Sequence, residues 1–370
     1  MAEDIKNYTL SELKNALSSK GFAPYCAGQV FNWIYAKRIE NFDLMTDISK
    51  GTRDSLSENF YFSKLKISKR EVSLDKTEKF LFELNDGASI ESVFIPENNR
   101  RTLCLSSQVG CKYGCKFCIS GTRGLKRNLA ASEIVNQYLT ISDLIGRKPE
   151  PRSGGATPRF DGALRHQSTG CARGIPEKAI TNVVFMGIGE PLDNFEMTVK
   201  AIRIFTEHKG LNFSKRRISI STCGIIPQIE QLSLLKLGVK LSVSLHSADD
   251  KIRSKIMPVN SKYPLGELMK VLRNFSESEK YPVTFEYALF GSLNTSKLDA
   301  QKLIRLLRGT NCKINLIPYN ASQGDFKQPA PSEVEDFCKE LENAGLFYTL
   351  RKSRGQDIHA ACGQLYALWG

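Results

Sequence analysis

Three cysteines lie within eight residues of one another, in the segment Cys111-Lys-Tyr-Gly-Cys115-Lys-Phe-Cys118. Their CxxxCxxC spacing suits three thiolates that ligate three irons of a cubane iron–sulfur cluster on a tight loop. Gly110 and Gly114 allow such a loop to bend. The fourth iron would then have no protein ligand and would stay open to a substrate. The segment therefore predicts a 4Fe-4S cluster held by Cys111, Cys115 and Cys118.

Two simpler interpretations of these cysteines stay open. A closed structural zinc site has four ligands, usually in paired CxxC groups. Here no histidine follows at a suitable spacing, and the nearest other cysteine is Cys104. The second alternative is three unrelated buried cysteines. The chain has ten cysteines in all, and in a reducing compartment we do not expect them to form a disulfide framework.

A glycine-rich segment with one acid, Gly187-Ile-Gly189-Glu190, follows a second apolar run. Glycines let the backbone approach a ligand closely, and the carboxylate of Glu190 could bind an ammonium group. The same pattern also fits a turn with a surface acid, so it indicates a binding site only together with the cysteine motif. His246 has a similar alternative, a strand-end histidine whose ring forms structural hydrogen bonds.

These residues need a scaffold, and the sequence predicts one from about residue 100 onward. Six short β-rich runs alternate with helical patterns, which predicts right-handed crossovers and a parallel sheet, either open or barrel-like. The predicted strands are 102–107, 181–187, 217–222, 239–246, 283–289 and 312–318. Functional residues in such sheets lie at the carboxyl ends of the strands. The residues expected at those ends are Ser221, Ser244, Leu245, His246 and Asn320.

Other segments surround this α/β core. The first sixty residues predict three helices, and residues 65–95 show strand alternation with a hairpin turn at Asp86-Gly87. Residues 149–177 interrupt the rhythm of strands and helices and are expected to form a mobile surface insertion. We therefore expect an N-terminal helical unit at 1–62, a β-hairpin extension at 63–99, a core at 100–350 and a C-terminal loop and tail at 351–370.

The charge balance indicates the kind of partner. Fifty-two Lys and Arg residues against 39 Asp and Glu residues give a net charge of +13, which suggests a polyanionic partner. Any single basic cluster is more typical of a solvated face, but several lie near the predicted active-site edge. The basic clusters are at 64–70, 100–101, 123–127, 215–217 and 351–354.

Composition and apolar patterning exclude several classes of protein. Apolar residues are 41% and charged residues 25% of the chain, which excludes global disorder. The apolar runs are shorter than the roughly 18 residues of a membrane span. The first residues lack the pattern of a secretory signal. We therefore expect a cytoplasmic protein without a membrane partner.

A CxxxCxxC motif after the first strand of a βα-repeat protein resembles the radical S-adenosylmethionine (SAM) superfamily. Further motifs are similar to the bacterial dual-specificity RNA methyltransferase family. They are Thr102-Leu-Cys-Leu-Ser-Ser-Gln-Val-Gly-Cys111, Met186-Gly-Ile-Gly-Glu-Pro-Leu192, Lys215-Arg-Arg, Ser221-Thr-Cys-Gly224, Ser244-Leu-His246, Ile317-Pro-Tyr-Asn320 and Arg354-Gly-Gln-Asp-Ile-His-Ala-Ala-Cys-Gly-Gln364. The resemblance covers residues 8–368, and residues 149–177 are the clear departure from it.

This resemblance implies a fold, an activity and cofactors. The expected fold is a partial (β/α)6 TIM-like barrel with an N-terminal helical domain that binds RNA and a β-hairpin extension. The expected activity is methylation of adenine carbon 2 in 23S rRNA and in tRNA, with one 4Fe-4S cluster and two SAM molecules per turnover. An electron donor such as a flavodoxin system and a monomeric state are also implied. The SAM-binding residues would be Gly189, Glu190, Ser221, Ser244, Leu245, His246 and Asn320.

The resemblance also implies roles for three further residues. One SAM methylates Cys362, and a radical from a second SAM abstracts hydrogen from that thioether methyl. The resulting methylene radical adds to the adenine, and Cys104 assists proton loss and attacks the Cys362 sulfur, which leaves a transient disulfide. Glu91, on one strand face with Val93 and Ile95, would be a proton acceptor or a substrate-orienting acid. Whether Glu91 or Cys104 takes the proton stays open.

Two alternative functions remain at this stage. A resistance-conferring type of enzyme methylates carbon 8 of the same kind of nucleotide with the same cysteines, and the shared motifs do not separate the two. A non-catalytic RNA-binding protein with a structural zinc ion is the alternative from a different class.

Overall fold

The N-terminal unit of the molecule is helical, as expected. The computed structural model describes residues 2–146, 179–319, 326–351 and 354–365. Thr9 caps the first helix, and its hydroxyl and the Glu12 carboxylate form a capping box. Two short parallel strands join the start and the end of the unit. The elements are β1 (Glu3–Asp4), α1 (Leu10–Ser19), α2 (Cys26–Tyr35), α3 (Lys50–Asn59) and β2 (Phe60–Tyr61).

A run of antiparallel strands follows and leads directly into the core. The Asp86-Gly87 turn joins two of them, as its sequence predicts. Because the last strand of the run also pairs with the core, the hairpin extension belongs to the same sheet. These strands are β3 (Lys66–Val72), β4 (Glu78–Glu83), β5 (Ser89–Glu97) and β6 (Arg100–Cys104).

A small hairpin separates this sheet from the first long helix of the core. Its strands β7 (Gln108–Cys111) and β8 (Gly124–Asn128) flank the short helix α4 (Ile119–Thr122), and α5 (Ala131–Gly146) follows. The sequence predicts α5 but not the hairpin. The β7 strand has only four residues and includes a glycine, so it lacks the alternation that marks a strand.

The core is a row of parallel strands. The six predicted strands are confirmed, and a seventh, the three-residue β14, pairs with the sixth. The strands are β6, β9 (Asn182–Phe185), β10 (Ile218–Thr222), β11 (Lys240–Ser244), β12 (Val283–Leu289), β13 (Cys312–Pro318) and β14 (Tyr348–Leu350). The connecting helices are α6 (Phe195–Thr206), α7 (Ile226–Leu235), α8 (Asp250–Ile256), α9 (Leu265–Ser278), α10 (Lys297–Leu307) and α11 (Pro331–Asn343).

The ten-stranded sheet has the order β14-β13-β12-β11-β10-β9-β6-β5-β4-β3. This order places β3 and β14 at opposite edges, so the described strands form an open sheet, as a partial barrel does. All seven residues of β12 are buried, which is typical of a parallel strand covered on both faces. The carboxyl ends of the parallel strands meet on one side of the sheet, where the loops between strands and helices converge.

Candidate active site

One cavity at the carboxyl ends of the strands brings most of the expected site residues together. The end of β6 and the loops after β7, β9, β10 and β11 contribute to its lining, and so does the C-terminal segment. The expected residues that line it are Cys104, Cys111, Cys115, Cys118, Gly189, Glu190, Ser221, Ser244, His246 and Cys362. These residues come from six separate parts of the chain, so the fold rather than local sequence assembles the site.

The three motif cysteines lie on a loop with fixed ends. Cys111 is the last residue of β7, and Cys118 precedes the first residue of α4. Gly114 has a φ of +62°, a left-handed conformation that favours glycine. The backbone N–H of Lys116 donates to the carbonyl of Ile256 at 2.9 Å, and this bond joins the loop to the end of α8. The loop is therefore held from outside as well as from within.

The chemistry of these thiols fits a bound iron–sulfur cluster. Burial raises the pKa of all three, to about 12 for Cys111. Thiols in such surroundings become ligands when a metal replaces their protons. Within the described ranges, no three His, Cys, Asp or Glu side chains converge closely enough to hold a single metal ion. A cubane does not need that convergence because each cysteine binds a different iron, whereas a structural zinc site does.

The two glycines of the glycine–acid segment allow close packing of two loops. A side chain at Gly187 would begin 2.7 Å from backbone atoms of Leu105. At Gly189, where φ is +101°, a side chain would begin 2.5 Å from Cβ of Gln108. Since such contacts are too short for real carbon atoms, these positions need glycine. The loops after β6 and β9 therefore touch through their backbones.

Glu190 is a buried acid and not a surface one. Its carboxylate oxygens accept the backbone N–H groups of Leu192 at 3.0 Å and Cys223 at 2.8 Å. Burial raises its pKa, while these amide bonds oppose that shift. The surface-turn alternative is thus wrong for Glu190, which lies in the cavity wall.

His246 forms structural hydrogen bonds and also lines the cavity. Its backbone is left-handed, with φ of +54°, and its carbonyl accepts from Asn294 at 2.7 Å. Its Nδ1 accepts the backbone N–H of Ala288 at 2.9 Å, so Nε2 carries the proton. Burial, with a smaller effect of Arg253, lowers the pKa of His246 to about 3. The ring is therefore neutral at physiological pH, and it packs edge-on against Phe117.

Cys104 and Cys362 approach the cavity from different parts of the chain. Cys104 is the last residue of β6 and is buried, whereas Cys362 is exposed. Burial raises the pKa of Cys104 to about 12, and the nearby Cys362 sulfur adds to that shift. Arg351 forms a side-chain hydrogen bond with Cys362 and is also close to Cys104. A cation therefore lies beside both sulfurs.

Several expected site residues lie elsewhere. Glu91 is buried, and its Oε1 lies 3.4 Å from Nζ of Lys79. Glu91 does not line the cavity, although Val93 and Ile95 on the same strand do. Leu245 is fully buried beneath the site, and Asn320 lies outside the described residues.

Two of the five basic clusters lie away from the active-site edge. Arg100 and Arg101 are the first residues of β6, and the second cluster precedes β10. Residues Lys215–Arg217 precede β10 and so lie at its amino end, away from the cavity. Arg216 and Arg217 instead line a separate basic pocket with Lys240 and Lys313.

Two buried charged residues near the site have no counterpart in the sequence analysis. Glu286 on β12 lines the cavity, and its carboxylate accepts from the Asn315 side chain at 2.7 Å. Arg253 on α8 is fully buried. Its guanidinium donates to the carbonyls of Leu245, Cys223 and Ser244 at 3.1, 2.9 and 3.1 Å. A single acid within the apolar run of β12 is a signal that could have identified Glu286.

Two family models match the chain. The model described as the ribosomal RNA large subunit methyltransferase N-terminal domain matches residues 3–62. The model of the radical SAM superfamily matches residues 172–303. Membership of that superfamily implies a 4Fe-4S cluster and SAM as cofactors. No helix in the described part of the chain combines the length and apolar character that a membrane span requires.

Curated relatives match the chain over nearly its whole length. The dual-specificity RNA methyltransferase RlmN of Desulfosudis oleivorans is 40% identical over 99% of this chain and 91% of its own. The RlmN of Pelobacter propionicus is 41% identical, over 98% and 95%. A radical SAM methyltransferase structure from Sphaerobacter thermophilus matches with a TM-score of 0.83 and 38% identity, over 98% of this chain and 99% of that one. The chain therefore belongs to the dual-specificity RNA methyltransferase RlmN family and is a radical SAM enzyme that methylates RNA.

Proposed function

We propose that this enzyme methylates carbon 2 of an adenosine in 23S rRNA and in tRNA, through a methylated Cys362 and a transient disulfide with Cys104. One observation carries the proposal: Cys104, Cys362 and the three motif cysteines line a single cavity. Six cysteines line this cavity, three more than a cluster requires. Cys223 is buried against Glu190, and the other two, Cys104 and Cys362, are the ones that a methyl carrier and its resolving partner would supply.

The cofactors would be held by residues from several loops. Cys111, Cys115 and Cys118 would ligate the 4Fe-4S cluster. When bound, the cluster and two SAM molecules per turnover supply one methyl group and the radical that activates it. The groups that would bind SAM are the backbone and side chains of Gly189, Glu190, Ser221, Ser244, Leu245, His246 and Asn320. Of these, the neutral His246 ring would donate through Nε2, and Glu190 would face the ammonium group.

The reaction needs a sulfur that can both accept and release a carbon. Adenine carbon 2 is electron-poor and is not a nucleophile, so it cannot attack the SAM methyl group directly. The exposed Cys362 sulfur can accept that methyl, and the Arg351 guanidinium lies beside it. Release of the carbon from Cys362 breaks its carbon–sulfur bond while a sulfur–sulfur bond to Cys104 forms. The carbon keeps the electron pair of the broken bond and takes up a proton, which makes it the methyl group of the product.

Loss of the proton from adenine carbon 2 needs a base at the cavity. Cys104 lines the cavity, whereas Glu91 does not and is paired with Lys79. We therefore favour Cys104 as the group that assists proton loss. Glu91 would act on the substrate only indirectly, through the strand that carries Val93 and Ile95.

The remaining expectations concern partners and organisation. The N-terminal unit at 1–62 would bind RNA away from the cavity, and the target adenine would leave its stack to reach the site. The enzyme would work as a monomer in the cytoplasm and receive electrons from a flavodoxin-type donor. The hairpin extension would span residues 63–99, the core residues 100–350, and the catalytic loop with its tail residues 351–370. The expected insertion at 149–177 lies outside the described residues.

Product analysis tests the proposal directly. Reconstituted enzyme, SAM and a low-potential reductant would be incubated with 23S rRNA fragments and tRNA, and the digested nucleosides would be separated by mass spectrometry. We expect 2-methyladenosine from both RNAs. Formation of 8-methyladenosine would instead support the resistance-type alternative. Iron and sulfide analysis of the same sample serves as the control, since stoichiometric zinc would contradict the cluster assignment.

A further inference from the structure

The turn between β3 and β4 contacts the C-terminal loop that carries Cys362, although 284 residues separate Ser73 from Asp357. The Asp357 carboxylate accepts the Ser73 hydroxyl at 2.6 Å and the Leu74 backbone N–H at 3.1 Å. In the opposite direction, the Asp75 carboxylate accepts the backbone N–H of Gly355 at 3.0 Å. Each segment thus provides an aspartate that binds the backbone of the other.

Close packing accompanies these bonds. Gly355 has a φ of +63°, and a side chain there would begin 2.9 Å from Cγ2 of Thr77 and 2.8 Å from Cβ of Ala360. The neighbouring Arg354 guanidinium lies 3.5 Å from the Glu97 carboxylate on β5. Since Gly355 is the residue that allows this approach, the loop and the turn fit each other in shape as well as in charge.

The other end of the loop is attached to the segment that carries the cluster cysteines. The carbonyl of Gly363 accepts the backbone N–H of Ile119 at 2.8 Å, and the carbonyl of Leu365 accepts the Ser120 hydroxyl at 2.9 Å. Cys362 lies between the two attachments. The position of Cys362 at the cavity therefore depends on both attachments. Asp75 and Asp357 form the attachment that is remote from the cluster cysteines.

We infer that Asp75 and Asp357 are positioning residues for Cys362, acting through the contact between the turn Ser73–Thr77 and residues 354–357. The inference rests on the proposed role of Cys362. Neither carboxylate lines the cavity, so neither touches the reacting atoms. Misplacement of a reacting group by about 1 Å can lower a rate by about 100-fold. Loss of the contact should therefore impair methyl transfer without weakening RNA binding or SAM cleavage.

The test uses the reconstituted full-length enzyme with Asp75→Ala and Asp357→Ala combined. We expect the ratio of methylated adenosine to 5′-deoxyadenosine to fall by about 10-fold or more, because the radical forms while the carrier is misplaced. The KM for RNA and the iron content should stay unchanged. Amide hydrogen exchange of residues 354–365 should become faster. The ratio for Asp75→Asn combined with Asp357→Asn should be higher than for the alanine variant, because each amide oxygen can still accept an N–H.

Asp86 provides a matched control in the neighbouring turn of the same sheet. Its carboxylate accepts the backbone N–H of Ala88 at 3.1 Å and pairs with Arg127, so Asp86→Ala should change neither the ratio nor the exchange of residues 354–365. Unchanged ratio and exchange in the Asp75/Asp357 variant would overturn the inference. The exchange readout does not depend on catalysis. If Cys362→Ala still transferred methyl groups, the proposed role of Cys362 would fail, and the inferred positioning function would fail with it.

Discussion

Cys104 and Cys362 have opposite surroundings, and this difference suits different roles. Cys362 is exposed beside a guanidinium, whereas Cys104 is buried with a pKa raised to about 12. A thiol that must accept a methyl group needs access and a nearby cation. A thiol that acts only after the substrate carbon has arrived can stay buried until then.

Replacement of Cys104 should trap an intermediate. In Cys104→Ala the methylene carbon on the Cys362 sulfur can still bond to adenine carbon 2, but no sulfur is present to attack the Cys362 sulfur and break the carbon–sulfur bond. We expect a covalent protein–RNA adduct that survives denaturation and that mass spectrometry locates at Cys362. Cys338, a buried cysteine on α11, offers a matched control because Cys338→Ala leaves the cavity intact. Normal turnover by Cys104→Ala would contradict its assignment.

His246 should make stability depend on pH. Its pKa is lowered to about 3 in the fold, against about 6.5 for an unperturbed histidine. Between these values the unfolded chain binds more protons, so stability is present above pH 6.5 and is lost as the pH falls. We expect His246→Gln to reduce the slope of unfolding free energy between pH 6 and pH 4 by about 1 kcal/mol per pH unit.

Denaturant titrations at several pH values would give the slopes for His246→Gln and for the parent protein. An unchanged slope in His246→Gln would mean that the ring is protonated in the fold and would argue against its neutral, Nε2-donating state.

At the scale of elements, the fully buried Arg253 on α8 forms hydrogen bonds at the carboxyl ends of both β10 and β11. It binds carbonyls in the two loops that carry Cys223 and Leu245. These loops follow Ser221 and Ser244, so α8 helps to set the carboxyl edge of the sheet where SAM is proposed to bind. A buried cation with several carbonyl partners is costly to remove because the partners are left without donors.

Replacement of Arg253 should therefore destabilise the fold and disturb the cavity. We expect Arg253→Met to lower the free energy of unfolding by about 3 kcal/mol or more, as measured by denaturant titration. Lys255 lies on the same helix and is exposed, so Lys255→Met should change stability by less than about 0.5 kcal/mol. Equal stability of the two variants would show that the carbonyls find other partners.

The sequence predicts the parallel strands well for a physical reason. Strands buried on both faces consist of continuous apolar runs bounded by turns, and β12 and β13 have the predicted bounds. The β7–β8 hairpin, the short helix α8 and the three-residue β14 were missed because they are too short for a periodic pattern. Tertiary contacts stabilise them, among them the pairing of β14 with β13.

The residues of the candidate site likewise include some that the sequence predicts and others that it does not. Residues at the carboxyl ends of predicted strands, such as Ser221, Ser244 and His246, could be assigned to the edge of the cavity from the order of strands and helices alone. The position of Cys362 came from the resemblance, since no local pattern distinguishes it from a buried cysteine. The contact of Asp75 with the C-terminal loop could not be predicted, because it joins segments that are remote in sequence.

At the scale of the whole molecule, a buried lysine attaches the N-terminal unit to the core. The Lys6 ammonium binds Glu40 at 2.6 Å, the Ser63 carbonyl at 2.9 Å and the Asn136 side chain on α5 at 3.0 Å. Burial lowers the pKa of Lys6, and the bond to Glu40 opposes that shift. The attachment fixes the N-terminal unit, which is proposed to bind RNA, relative to the cavity.

Loss of this attachment should affect stability and substrate use together. We expect Lys6→Ala to lower the free energy of unfolding by about 3 kcal/mol, because Asn136 and Ser63 lose a buried donor. Lys64 pairs with the same Glu40 at 2.8 Å from an exposed position, so Lys64→Ala should cost at most about 1 kcal/mol. Thermal and denaturant unfolding would measure both, and similar losses would contradict a special role for the buried contact.

The central claim is that the methyl group reaches RNA from Cys362. Enzyme methylated with SAM that carries a deuterated methyl group would be freed of excess SAM and mixed with unlabelled SAM, reductant and RNA. We predict that the adenosine methylated in the first turnover carries the label, and that one deuterium atom appears in 5′-deoxyadenosine. An unlabelled first product would show that the methyl group comes directly from SAM and would contradict the account.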